Sequence, residues 1–295
     1  MGYAWSQQDE SIGAGVLRIA TEQVAKAILS VDALSDPPAV RIHAARRRCK
    51  RLRGLFRLVR GDFPAYQRAN AQVRDAAALL SGVRDAAVLH DTLRRLHRWA
   101  GRPVPAVPAA VGADPEAEEA ALARFRKAMS VLLADAEGWK LGKIDQRTLG
   151  KGFERGYARA VKAANDCRRR PSDDAFHDWR KQVKYHSFHL ILLKVPLSDG
   201  TRTNLKRVEH LAELLGRHHD LAVLRQTAAS NPDRLGEDPD PAFIDANARL
   251  LQDRLATRAF ALAAEAFARP PRVVRDSVET RWQAWWHPAP ATEPV

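Results

Sequence analysis

Residues 40–60, VRIHAARRRCKRLRGLFRLVR, carry nine Lys or Arg residues, one histidine and no acidic residue. At about 100° per residue, His43, Arg46, Arg47, Lys50, Arg53 and Arg57 fall within a sector of roughly 120°. Ala45, Cys49, Leu52, Leu55, Phe56 and Val59 form an apolar stripe on the opposite side, wide enough to bury against neighbouring helices. Arg41, Arg48 and Arg51 lie outside the cationic sector. The segment therefore predicts an amphipathic helix with an almost purely cationic face. Cations stacked one turn apart repel one another, by a few tenths of a kcal/mol per pair. A solvated surface helix relieves that repulsion with interleaved Glu or Asp, and none is present here. An anionic ligand would supply the relief, with Arg offering forked donors to phosphate oxygens and Lys a mobile point charge.

The pattern has an echo. HAARRRCK (43–50) aligns with HDWRKQVK (177–184), placing His177, Arg180, Lys181 and Lys184 on one face backed by Phe176, Trp179, Val183, Leu190 and Leu193. SIGAGVLRIATEQVAKA (11–27) aligns with TLGKGFERGYARAVKAA (148–164), matching both glycines and pairing Arg18 with Arg155. LLSGVRDAAVL (79–89) aligns with LLGRHHDLAVL (214–224), pairing Asp85 with Asp220, which read as helix caps or partners for buried Arg. The offsets are 137, 134 and 135 residues, in one order along the chain, which identifies an internal duplication. The second basic stripe is shorter, because Ser187 and Ile191 stand where Arg53 and Arg57 are in the first. The helix before it compensates with Arg155, Arg159 and Lys162 on one face, where the first half has Arg18, Glu22 and Ala25.

Periodicity is helical throughout and no strand pattern is evident, so the fold class is all-α. Helices are expected near 11–34, 38–60, 64–80, 84–99 and 115–137, and again near 146–169, 173–193, 202–215, 221–229 and 241–269. Breaks such as SDPP, RGDFP and VPLSDGT separate them. Two tandem helical bundles of about five helices each, related by an internal pseudo-two-fold axis, are the expected architecture. A leader (1–10), one domain of two repeats (11–139 and 146–286) and a flexible tail (287–295) make up the expected organisation. Residues 101–119 read as a linker inside the first repeat. Trp282, Trp285 and Trp286, at i, i+3 and i+4, should staple a last helix onto the bundle.

Composition limits the partners. The 295 residues carry a net charge of +13, which predicts strong attraction to polyanions. The two cysteines, Cys49 and Cys167, have no metal-ribbon or disulfide-framework spacing and fit a reducing compartment. The first residues lack an apolar signal-peptide core, and no apolar run reaches the ~18 residues of a spanning segment, so a soluble cytoplasmic protein is expected.

The basic helices resemble those of the CHAD family, the conserved histidine α-helical domain. VRIHAARRRCKRLRGLFRL and FHDWRKQVKYHSFHLILL resemble its His-x-x-Arg-[Arg/Lys]-x-x-[Lys/Arg] helices, and GVRDAAVL and LGRHHDLAVL its Asp-x-x-Val segments. The resemblance covers residues 11–286. It implies two helical bundles with internal two-fold symmetry around a basic cavity that binds inorganic polyphosphate, and association with polyphosphate granules. Carried onto matching positions, the ligand contacts would be Arg18, His43, Arg46, Arg47, Lys50 and Arg53 in the first half. In the second they would be Arg155, Arg159, His177, Arg180, Lys181 and Lys184. His43 and His177 either touch ligand, with pH-dependent affinity, or only shape the cleft.

No glycine-rich phosphate loop, paired carboxylate or activated nucleophile is present, so neither catalysis nor a cofactor is expected. His186 and His189 lie on the apolar side, without a partner carboxylate for a metal site. Cys49 faces the core. The rival partner is RNA or single-stranded DNA, bound at least non-specifically through charge. Single-strand binders add stacking aromatics, and Phe188 alone among the aromatics stands on the cationic side. Oligomeric state is left open.

Overall fold

The computed structural model describes residues 2–80, 85–103, 115–236 and 239–287. Every α-helix and the single 3₁₀ turn among these residues pack without a strand, as expected from the periodicity. Residues 81–84, the 104–114 part of the expected linker and the 288–295 part of the expected tail lie outside them, as does the side chain of Asp85.

Helix α1 (Ile12–Asp32) starts where the Ser11 hydroxyl accepts the Ala14 N–H at 3.0 Å. The basic helix α2 (Pro38–Val59) opens on proline, whose missing N–H is harmless in a first turn. It buries Ala45, Cys49, Leu52, Leu55, Phe56 and Val59, the apolar stripe read from the sequence, and Ile42 as well. Helices α3 (Tyr66–Ala78), α4 (Asp85–Trp99) and α5 (Pro115–Ala136) complete the first set. Helix α6 (Gln146–Arg169) begins with a capping box between Asp145 and Thr148.

The next helical run, α7 (Asp173–Ser230), takes in three expected helices. Its two ends nevertheless touch: His177 meets His219, and Arg225 bonds Asp173 at 3.2 Å. At 1.5 Å rise per residue a straight helix would hold such pairs about 60 Å or more apart. The run is therefore not straight: its first and second arms lie side by side. Within its second arm, residues 202–215 and 221–229 are one helix. Helices α8 (Pro241–Ala266) and α9 (Pro271–Trp286) follow.

The two sets interlock. Helix α2 packs on α1 and α3 and also on α6 and α7, while α4 packs on α7 and α8. The expected tryptophan staple is present: Trp282 is buried, stacks on Trp286 at 5.5 Å and meets Trp5 edge-on at 5.2 Å. Gln7 adds a hydrogen bond from Nε2 to the Trp285 carbonyl at 2.6 Å, so residues 3–9 and α9 are clasped together.

Candidate anion-binding site

The two basic helices cross at Gly54. A Cβ there would lie 2.7 Å from the Phe188 Cβ, so only glycine lets α2 and α7 approach this closely. The residues are 134 apart, the offset that aligns His43 with His177. One residue further along α7, buried His189 donates from Nε2 to the Gly54 carbonyl at 3.1 Å. Burial, with Arg57 and Arg155 nearby, pushes its pKa down to about 3, so the ring is neutral.

Beside this crossing α2, α6 and α7 enclose a small pocket. Arg57 and Arg60 enter from the end of α2, Arg155 and Arg159 from α6 and Tyr185 from α7, with His189 behind them. The Arg57 guanidinium lies 4.0 Å from the Tyr185 ring centroid and that of Arg53 5.8 Å from it. The Nε of Arg57 and the Nε and Nη2 of Arg155 are buried without a hydrogen-bond partner among the described residues. None of the four arginines makes an ion pair with a described residue. Burial, then the neighbouring Arg60 and Arg159, lowers the pKa of Arg155; burial, Arg60 and Arg57 lower that of Arg159. The nearby acids are engaged elsewhere. Asp62 accepts the Thr148 hydroxyl at 2.5 Å, and Glu154 pairs with Arg275 at 3.2 Å. Unpartnered buried guanidinium donors are costly unless an acceptor completes them, and an oxyanion is the acceptor their geometry suits.

Of the twelve residues expected to bind ligand, the pocket gathers Arg155 and Arg159, and Arg53 reaches the same tyrosine while bonding Asn70 at 3.2 Å. The rest of the first stripe runs on along α2. His43, Arg47 and Lys50 are exposed, and Arg46 donates to the Leu80 carbonyl at 2.9 Å. Arg18 stands apart: Asp9 accepts from its Nε at 2.6 Å and its Nη2 at 2.8 Å, and Glu22 from its Nη1 at 3.1 Å. Those bonds hold its pKa above the usual arginine value. The residues outside the sector explain part of the charge in the opening stretch. Buried Arg41 donates to the Val31 carbonyl at 2.9 Å and pairs with Glu119, joining α1, α2 and α5.

The second stripe faces the returning arm of α7. Arg180 lies against Gly216, and Lys181 pairs with Asp178 in the preceding turn. Burial and Arg180 depress the pKa of Lys184, against the pull of Glu213 and Glu209. His177 and His219 meet Nδ1 to Nδ1 at 3.3 Å, a hydrogen bond that needs at least one neutral ring. Burial, with Lys181 and Arg180, lowers the pKa of His177; burial, with Arg180 and His177, takes that of His219 down to about 4. Ser187 and Ile191, where the stripe stops, are turned inward, with Ser187 bonded to the Lys184 carbonyl at 2.9 Å.

Three sequence readings change in detail. Phe188 does not offer a free stacking face, because it packs on Gly54 and edge-on against Tyr3 at 6.4 Å. The aromatic on the cationic face is Tyr185, and Arg57 covers it. Arg57 and Arg60, outside the twelve, line the pocket beside Arg155 and Arg159. Arg60 follows the last residue of α2 and falls just outside the cationic sector, and nothing in the sequence singles out Tyr185. Cys49 is buried, as its face implied, and burial pushes its thiol up to about 12.

Comparison with known proteins bears on this arrangement. No curated protein gave a significant match. The family model described as the CHAD domain matches residues 18–229, from α1 to the end of α7, which includes both basic helices and all four pocket arginines. With that match over most of its length, the chain belongs to the CHAD domain family.

Proposed function

We propose that this protein binds inorganic polyphosphate through the face made by α2, α6 and the first arm of α7. The CHAD domain is linked to polyphosphate binding at the level of the family. The observation that carries the reading in this chain is a pocket of four arginines without an ion pair among the described residues, two of which, Arg57 and Arg155, hold buried, unpartnered donors. A linear phosphate polymer matches both parts of the surface: the exposed stripe of His43, Arg47 and Lys50, and the recessed arginines beyond it. The two stripes would follow one chain around the pseudo-two-fold relation implied by the repeat, and the Gly54–Phe188 contact at the repeat's own offset supports that geometry. The role is binding rather than catalysis, in the cytoplasm, where it would target or organise polyphosphate granules.

Nucleic acid is the competitor this reading must beat. The exposed cationic stripe would attract any polyanion, but Tyr185, the aromatic on that face among the described residues, is capped by an arginine instead of open to a base. Competition between long-chain polyphosphate, RNA and single-stranded DNA, at matched phosphate concentration and near-physiological salt, decides between them. Polyphosphate should displace the others; RNA or DNA competing equally well overturns the proposal.

A further inference from the structure

Resting on the polyphosphate reading, we infer that the pocket between α2, α6 and α7 receives the terminal phosphoryl group, so that the protein recognises the end of a chain and not only its length. The pocket is blind. At Gly152 a Cβ would lie 1.7 Å from the Leu58 carbonyl oxygen, and at Gly156 one would lie 2.6 Å from the His189 Nδ1. Helix α6 thus rests directly on α2 and α7 at the floor, and a polymer cannot thread through. The interior measures about 20 Å³, the space of one or two water molecules. It admits one or two oxygens at the tip of a phosphoryl group, with the rest of the group at the mouth, and excludes a nucleobase.

The chemistry of a chain end fits the donors. An internal phosphate carries one charge and two non-bridging oxygens, whereas a terminal one carries three such oxygens and a second ionisation near neutral pH. Arg57 and Arg155 present buried donors that still need acceptors, and Arg60 and Arg159 add charge at the mouth. The extra oxygen and extra charge of an end group are what this excess of cations rewards.

The corresponding place in the first repeat is closed. Arg18 aligns with Arg155 and Glu22 with Arg159, and the Asp9 carboxylate already grips the Arg18 guanidinium with both oxygens. One end site per chain follows.

Linear tripolyphosphate and cyclic trimetaphosphate, equal in phosphate number but with and without ends, test this by calorimetric titration. Free-ended short chains and phosphoramidate-blocked chains two phosphates longer, which carry the same full charge, serve as a second pair and separate end recognition from total charge. The linear and free-ended ligands should bind about tenfold more tightly or better, at one per chain, a difference of about 1.4 kcal/mol. Arg57→Gln with Arg155→Gln should abolish the preference, and Arg159→Gln, at an exposed position that spares the fold, should reduce it. Equal binding of free and blocked ends, or a preference that survives in the folded double variant, overturns the inference. If long-chain polyphosphate still displaces RNA while ends make no difference, end recognition alone fails. If RNA competes equally, the underlying polyphosphate reading fails.

Discussion

Gly54 and Phe188 touch at the α2–α7 crossing, with 2.7 Å between the place a Gly54 Cβ would take and the Cβ of Phe188. Gly54→Leu must push the helices apart at the point that also sets His189 against α2. Overpacking of this kind costs about 1–3 kcal/mol. Urea denaturation should show that loss, and polyphosphate affinity should fall with it, because Arg57 and Tyr185 meet beside the crossing from the two helices it joins.

Arg155 should trade stability for binding. Its charged form is disfavoured in the folded protein by burial and by Arg60 and Arg159. Arg155→Gln keeps hydrogen-bonding capacity while relieving the repulsion. Without ligand the variant should melt at the wild-type temperature or up to ~4 °C higher. Its affinity for polyphosphate should drop about tenfold, as loss of a charge-assisted contact implies. A variant that binds normally would take Arg155 out of the site.

Acid should destabilise the fold well before its carboxylates protonate. Burial holds His186 and His189 at about 3, and His218 and His219 at about 4, against an ordinary value of 6.5. The unfolded chain then binds more protons than the folded one below about pH 6.5. The contribution of these neutral rings is present above that pH and is lost progressively as pH falls toward 3–4. Melting temperature should decline steadily from pH 7 to pH 4.5.

His186 should account for a separable share of that slope. Its ring lies among Phe153, Tyr157 and Phe267, with both nitrogens buried and unpartnered among the described residues. His186→Phe removes the unmet polar atoms and keeps the aromatic packing. Stability at pH 7 should rise by about 1 kcal/mol, and the acid slope should flatten.

Asp9→Asn should loosen the first residues and free a cation. The Asp9 carboxyl is held below its ordinary range because the Arg18 hydrogen bond and the Ser6 N–H outweigh the effect of burial. Losing that ion pair should lower stability by about 1–2 kcal/mol. Hydrogen exchange should accelerate over residues 3–9. At low salt, polyphosphate affinity should rise about two- to fivefold as Arg18 becomes available.

The helices and the apolar face of α2 were legible because burial follows the 3.6-residue period. The site was legible only as a face. A helical wheel ranks Arg18 and Arg155 as equals, yet Asp9, from a segment that looked like a leader, closes over one of them and leaves the other open. The wheel likewise cannot show that Arg60, just past the end of α2, turns toward α6, or that Tyr185 lies under Arg57. Such contacts depend on how three helices meet, which no local pattern encodes. Helix α7 was misjudged for a related reason. GRHHD reads as an interruption between residues 215 and 221, but packing against the first arm keeps the second arm helical across it.

The clasp between Trp5 and Trp282 has a consequence for synthesis. Residues 3–9 emerge from the ribosome long before their partners on α9. At ordinary elongation rates of ~5–20 residues per second, that leaves Trp5 waiting about 15–55 s for its partner. Through that interval its indole has no α9 to cover it, and the nascent chain offers chaperones an apolar handle that vanishes once α9 is synthesised and docks.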